Sequence, residues 1–149
     1  MTQGNDTAVL VRDDGFHGED WDAPITPLAE LAANDDATPL AVDIASDGDP
    51  DELIGRLAQI DLIRVAFPSF ADGRGFTIAR RLRDAGYTGR LRAAGHVIAD
   101  QYAMARRAGF DEVEISAELA ARQPEDQWLF RAQWTAHDYQ SRLRAAAFS

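Results

Sequence analysis

The stretch Pro68-Ser69-Phe70-Ala71-Asp72-Gly73-Arg74-Gly75-Phe76 gathers residue types that handle anions. Gly73 and Gly75 allow tight turns and close backbone approach. They stand just before a segment of helical spacing, and the first N–H groups of a helix lack partners. Arg74 lies between them and adds a guanidinium fork. Backbone donors, a helix dipole and a guanidinium together describe an anion or cofactor site. Asp72 fits two further tasks, capping the helix or holding Arg74. The same residues also read as a sharp capped loop, or as a protein–protein contact.

A second group follows: Arg92, Gly95, His96, Asp100 and Gln101. Side chains alternate along a strand, so Arg64 and Arg92 place charge on or near a sheet face. A charge there needs a partner or water. The expected pairs are Asp100 with Arg92 and Asp72 with Arg74, as an ion-pair lattice or as a functional cluster. His96 falls at the expected cap of the next helix, as a pH-sensitive acid or base or as a surface residue. Asp47, Asp49, Asp51 and Glu52 resemble a carboxylate cluster. Their arrangement around Pro50 favours a helix-capping loop over a metal site.

Other chemistries are excluded by residue type. The chain has no cysteine, which removes disulfides, thiolate nucleophiles and cysteine-ligated clusters. All 15 basic residues are arginine, which removes Schiff-base chemistry and a lysine-bearing phosphate loop. His17, His96 and His137 show no paired metal-ligand spacing, so no metal is expected.

These loops must be positioned by alternating strands and helices. Ala8 to Arg12, Leu40 to Ile44, Leu62 to Phe67, Leu91 to Ala94 and Val113 to Ile115 read as strands. Residues 13–24 read as acidic and irregular. A helix is expected from Thr26, with Pro27 in its first position and Leu28 and Leu31 on one face. Leu53, Ile54, Leu57 and Ile60 recur at helical spacing after Pro50. Further helices are expected from the glycine loop to Gly86, from Val97 to Ala108, and after Pro124. Trp128, Phe130 and Trp134 do not share a narrow stripe. Either that last helix is buried on two sides or some aromatic surface is an interface, which would allow a homodimer. The stretch Trp134 to Gln140 reads as helix or as edge strand. The order predicts a single α/β domain over 1–149, a mostly parallel sheet of about five strands with helices packed on it. A flavodoxin-like three-layer arrangement is the first expectation and a partial βα barrel the alternative. Both place ligands at the carboxyl ends of the strands, on Ser46 to Asp49, Pro68 to Gly75 and Gly95 to Ile98.

Composition bounds the partners. The 149 residues carry a net charge of −10, too acidic for a general nucleic-acid binder. The charge is unevenly spread. Residues 1–61 hold 15 acids and two arginines, a balance of −13, and residues 62–149 hold 10 acids and 13 arginines, a balance of +3. The arginines read either as a local basic face or as solvated charges that offset the acidic half. No run of 18 apolar residues occurs, so no membrane span is expected. Met1 to Asp6 lacks a secretory pattern, and a cytoplasmic location is expected.

Phe67-Pro68-x-Phe70-x-Asp72-Gly73-Arg74-Gly75-Phe76 continues as Ala79-Arg80-x-Leu82-Arg83, then Gly89-x-Leu91-Arg92-Ala93-x-Gly95-x-Val97. Asp100-Gln101 and Arg107-x-Gly109-Phe110-Asp111 follow. This run resembles bacterial domain-of-unknown-function family 934 across 38–115, with a looser match at Tyr139-Gln140. The resemblance implies an oxidoreductase role associated with assimilatory sulfate and sulfite reduction. It implies sulfite reductase or phosphoadenylylsulfate reductase as partners. His96 stands where the family usually has aspartate, and Ala108 where cysteine is frequent. Without cysteine the chain is not itself the catalyst of either reduction. Three roles stay open: an accessory protein contacting a reductase or a sulfur oxyanion, a small oxidoreductase or electron carrier with an organic cofactor, and a phosphate- or sulfate-ligand module.

Overall fold

The computed structural model describes residues 8–31 and 39–133. Seven strands are found there: β1 (Val9–Arg12), β2 (Gly15–His17), β3 (Thr26–Pro27), β4 (Ala41–Ile44), β5 (Leu62–Phe67), β6 (Arg90–Gly95) and β7 (Glu112–Ile115). The expected five all form. The two extra strands are short edges, β2 in the stretch read as irregular and β3 at the expected helix start. Pro27 therefore belongs to an edge strand, where a missing N–H is tolerated. Only a three-residue 3-10 helix, Leu28–Glu30, follows it. The segment Trp134 to Gln140 lies outside the described residues.

One sheet runs in the order β2-β1-β7-β6-β5-β4-β3. Strands β3 to β7 are parallel to their neighbours, whereas β1 pairs antiparallel with both β2 and β7. The parallel strands follow chain order without reversal. The expected α/β domain with a mostly parallel sheet is thus present, while its strand order differs from a flavodoxin-like sheet, which reverses at a switch point. Sequential order is also what βα barrels use, here in an open sheet.

Sequential right-handed crossovers put their connections on the same face. Accordingly, a 3-10 helix (Pro50–Gln59), α1 (Arg74–Asp84), α2 (Tyr102–Ala108), α3 (Ala117–Arg122) and α4 (Glu125–Arg131) share one core with Val42, Ile63, Val65, Leu91 and Val113. The 3-10 winding has three residues per turn. It points Pro50, Leu53 and Leu57 inward and leaves Ile54 exposed. In α4 the aromatics divide: Trp128 is buried against Tyr102, and Phe130 is 63% exposed. Among the described residues no helix is long and apolar enough to cross a membrane.

The opposite face of the sheet is charged. The register aligns Asp43, Arg64, Arg92 and Glu112 in one row across β4 to β7. Arg64 donates to Asp43 and Glu114, and Arg92 donates to Glu112 and Glu114. A segment without regular structure, residues 18–25, brings Glu19 and Asp20 onto this face.

Candidate loop-edge site

The loops after β4, β5 and β6 meet at the carboxyl edge of the sheet and are tied together by side chains. The Asp72 carboxylate accepts from the Arg74 backbone N–H at 3.1 Å and from its guanidinium at 3.0 and 2.7 Å. Asp72 thus holds Arg74 as expected, whereas the cap position of α1 is Gly73, with no side-chain cap hydrogen bond. The Arg74 hydrogen bonds hold its carboxyl far below the usual carboxylate range. Arg74 also donates to Ser46 Oγ at 3.0 Å, which joins the β4 loop to the β5 loop.

The glycines work differently from expectation. Gly75 lies within α1 against β5, where an added Cβ would stand 2.4 Å from the Phe67 ring. It serves helix–strand packing. A Cβ at Gly73 would have its nearest neighbour at 3.9 Å, so no close approach requires glycine there. Gly95 has φ +118°, and a Cβ would lie 2.6 Å from the Phe67 carbonyl oxygen. That oxygen accepts the His96 N–H at 2.8 Å. The left-handed turn is what lets β6 end beside β5.

The β6 loop is clamped to the β5 loop by Gln101. Its Nε2 donates to the Phe70 carbonyl at 2.9 Å, and its Oε1 accepts the Ile98 N–H at 3.0 Å. Ile98, not His96, occupies the cap position of the short 3-10 helix Ala99–Gln101. His96 is exposed and meets Phe70 edge-on, with ring centroids 5.1 Å apart. Phe70 remains 41% exposed at the loop tip.

Two expected associations do not form. Asp100 pairs with Arg131 at 2.9 Å, not with Arg92. Arg92 points to the charged face and is wholly buried between Glu19, Glu112 and Glu114, at 2.7 to 2.8 Å. Burial acts to lower its pKa, but hydrogen bonds to Glu19 and Glu112 outweigh this and raise it. Arg92 and Arg74 therefore belong to separate sites. Alternation along β6 made the facing legible, but the pairing with Glu19 joins residues 73 apart in sequence and leaves no local signal.

Beside Arg74 lies a shallow cleft of about 400 Å3, with Ser46, Asp47, Thr77 and Arg81 on its walls. Both of its arginines are engaged, Arg74 by Asp72 and Arg81 by Asp51. Asp49 accepts the Asp51 N–H at 2.9 Å, so the Asp47–Glu52 loop caps its helix. Ser46 and Phe70 were not singled out from sequence as site residues. An aromatic in a glycine-bearing loop was the available signal for Phe70.

The fold and this edge define an α/β protein with a sequential parallel sheet and cross-linked βα loops. A family model described as a bacterial protein of unknown function (DUF934) matches residues 41–147, and the chain belongs to that family. Comparison with curated proteins and with solved structures gives no match.

Proposed function

We propose that the protein is an accessory protein of assimilatory sulfate and sulfite reduction that docks a reductase through its βα-loop edge. One observation carries the docking part: a fixed loop presents Phe70, while the charged groups beside it are satisfied within the chain. Asp72 is bound to Arg74, Asp100 to Arg131, and Arg81 to Asp51. A loop already held in place loses little freedom on binding, and aromatic anchors dominate interface energetics. The pathway assignment rests on the family resemblance alone. The absence of cysteine supports an accessory over a catalytic part.

The test is affinity capture with the full chain from sulfate-grown cells. Recovery of sulfite reductase or phosphoadenylylsulfate reductase by the native chain, lost in Phe70→Asp at unchanged melting temperature, is the expected result. Capture of neither reductase, or equal capture by both chains, contradicts the proposal.

A further inference from the structure

The charged face carries a second candidate site at the other end of the sheet. Arg12, Arg90 and Arg92 converge there from β1 and β6. Glu112, 2% exposed at its side chain, pairs with all three. Segment 18–25 closes over them with two carboxylates. Glu19 grips Arg92 in a two-pronged pair at 2.8 and 2.9 Å. Asp20 bridges Arg12 at 2.7 Å and Arg90 at 2.5 Å. A fork of two carboxylate oxygens on a guanidinium is also how arginine holds sulfate and phosphate.

Charge balance on this face supports the same reading. The sheet itself supplies Arg12, Arg64, Arg90 and Arg92 against Asp43, Glu112 and Glu114, a surplus of one positive charge. Glu19 and Asp20 add two negative charges from outside the sheet. Arg92 keeps Glu112 and Glu114 when Glu19 leaves. The indole N–H of Trp21, in the same segment, is buried with no partner among the described residues, and burial of a donor without a partner is costly. An open cleft of about 520 Å3, walled by Arg12 and Arg90 and by the acids Asp13, Asp14, Asp111 and Glu112, gives access from the amino ends of the parallel strands.

We infer that Arg12, Arg90 and Arg92 form a binding site for a tetrahedral oxyanion dianion, the class of sulfate and phosphate, which segment 18–25 keeps closed with Glu19 and Asp20 as internal stand-ins. The dianion replaces the two carboxylates charge for charge and displaces the segment. The site is separate from the loop edge, and its failure leaves the docking proposal intact.

Hydrogen exchange of the full chain tests this, with sodium sulfate, sodium phosphate and sodium chloride at matched ionic strength. Sulfate or phosphate is expected to speed exchange in 18–25 and slow it in 90–95, while chloride does neither. The arm with the larger effect identifies the preferred anion. In the double variant Glu19→Gln, Asp20→Asn the stand-ins are gone, and the same anion should bind about tenfold more tightly. Adding Arg90→Gln should abolish that binding. Identical exchange in all three salts, or no gain in affinity in a folded double variant, overturns the inference. If the double variant does not fold, the exchange result on the native chain decides.

Discussion

Gly75 and Gly73 stand two residues apart and face different surroundings. An alanine at 75 drives its Cβ to 2.4 Å from the Phe67 ring, whereas at 73 the nearest atom is 3.9 Å away. Gly75→Ala is therefore expected to destabilise by about 1–3 kcal/mol through overpacking. Gly73→Ala should change stability by no more than about 0.5 kcal/mol. Denaturant titrations of the two variants check this, and equal losses would return Gly73 to the role of an essential turn. Asp20 gives a pH-dependent prediction. Burial acts to raise its pKa, but hydrogen bonds from Arg12 and Arg90 pull it down from 3.8 to about 2. A lowered folded pKa means that the charged form stabilises the fold above pH 3.8, and that this is lost as pH falls through about 2. The stability difference between the native chain and Asp20→Asn should thus be constant near neutrality and shrink between those values. Solvent screening keeps it modest at a side chain 47% exposed. A difference that stays constant through that range would remove Asp20 from the ion lattice.

At the scale of elements, β6 carries the charged face. Replacing Arg92 with methionine leaves Glu19 without its guanidinium and takes one partner each from Glu114, which keeps Arg64, and from buried Glu112, which keeps Arg12 and Arg90. Breaking a buried pair in this way costs about 3–5 kcal/mol. Chemical denaturation of Arg92→Met measures it, and a loss under about 1 kcal/mol would mean that the carboxylates find other partners. The elements also show what a sequence reveals. Among the five longer strands, β6 holds no β-branched residue and β7 alternates with glutamate, but β1, β4 and β5 were legible as runs rich in apolar and β-branched residues. The edge strands β2 and β3 were not, since three and two residues carry no period. Gly15–His17 forms because Asp13-Asp14 turns the chain back along β1, and the Phe16 N–H at that edge is capped by distant Glu125 at 2.8 Å. The loops after β4, β5 and β6 were placed correctly from the strand order. The partner of Arg74 was legible because it lies two residues away. Arg92's partners were not, because tertiary packing selects them.

Across the whole molecule, the acidic first half and the arginine-rich second half meet. Asp13 binds Arg106, Glu19 binds Arg92, Asp20 binds Arg90, Asp43 binds Arg64, and Asp51 binds Arg81. The uneven charge along the chain becomes a set of pairs across the fold. A local basic face read from residues 62–149 alone overlooks those acids. What the loop edge offers a partner is thus an aromatic tip on a cross-linked frame, more than a field of charge. The most direct test of this account is the affinity of the purified full chain for sulfite reductase and for phosphoadenylylsulfate reductase, measured by calorimetry alongside Phe70→Asp and Arg74→Ala. Binding to one reductase is expected, abolished by Phe70→Asp and weakened by Arg74→Ala through a loosened loop. Binding to neither reductase, or binding indifferent to Phe70, would contradict it.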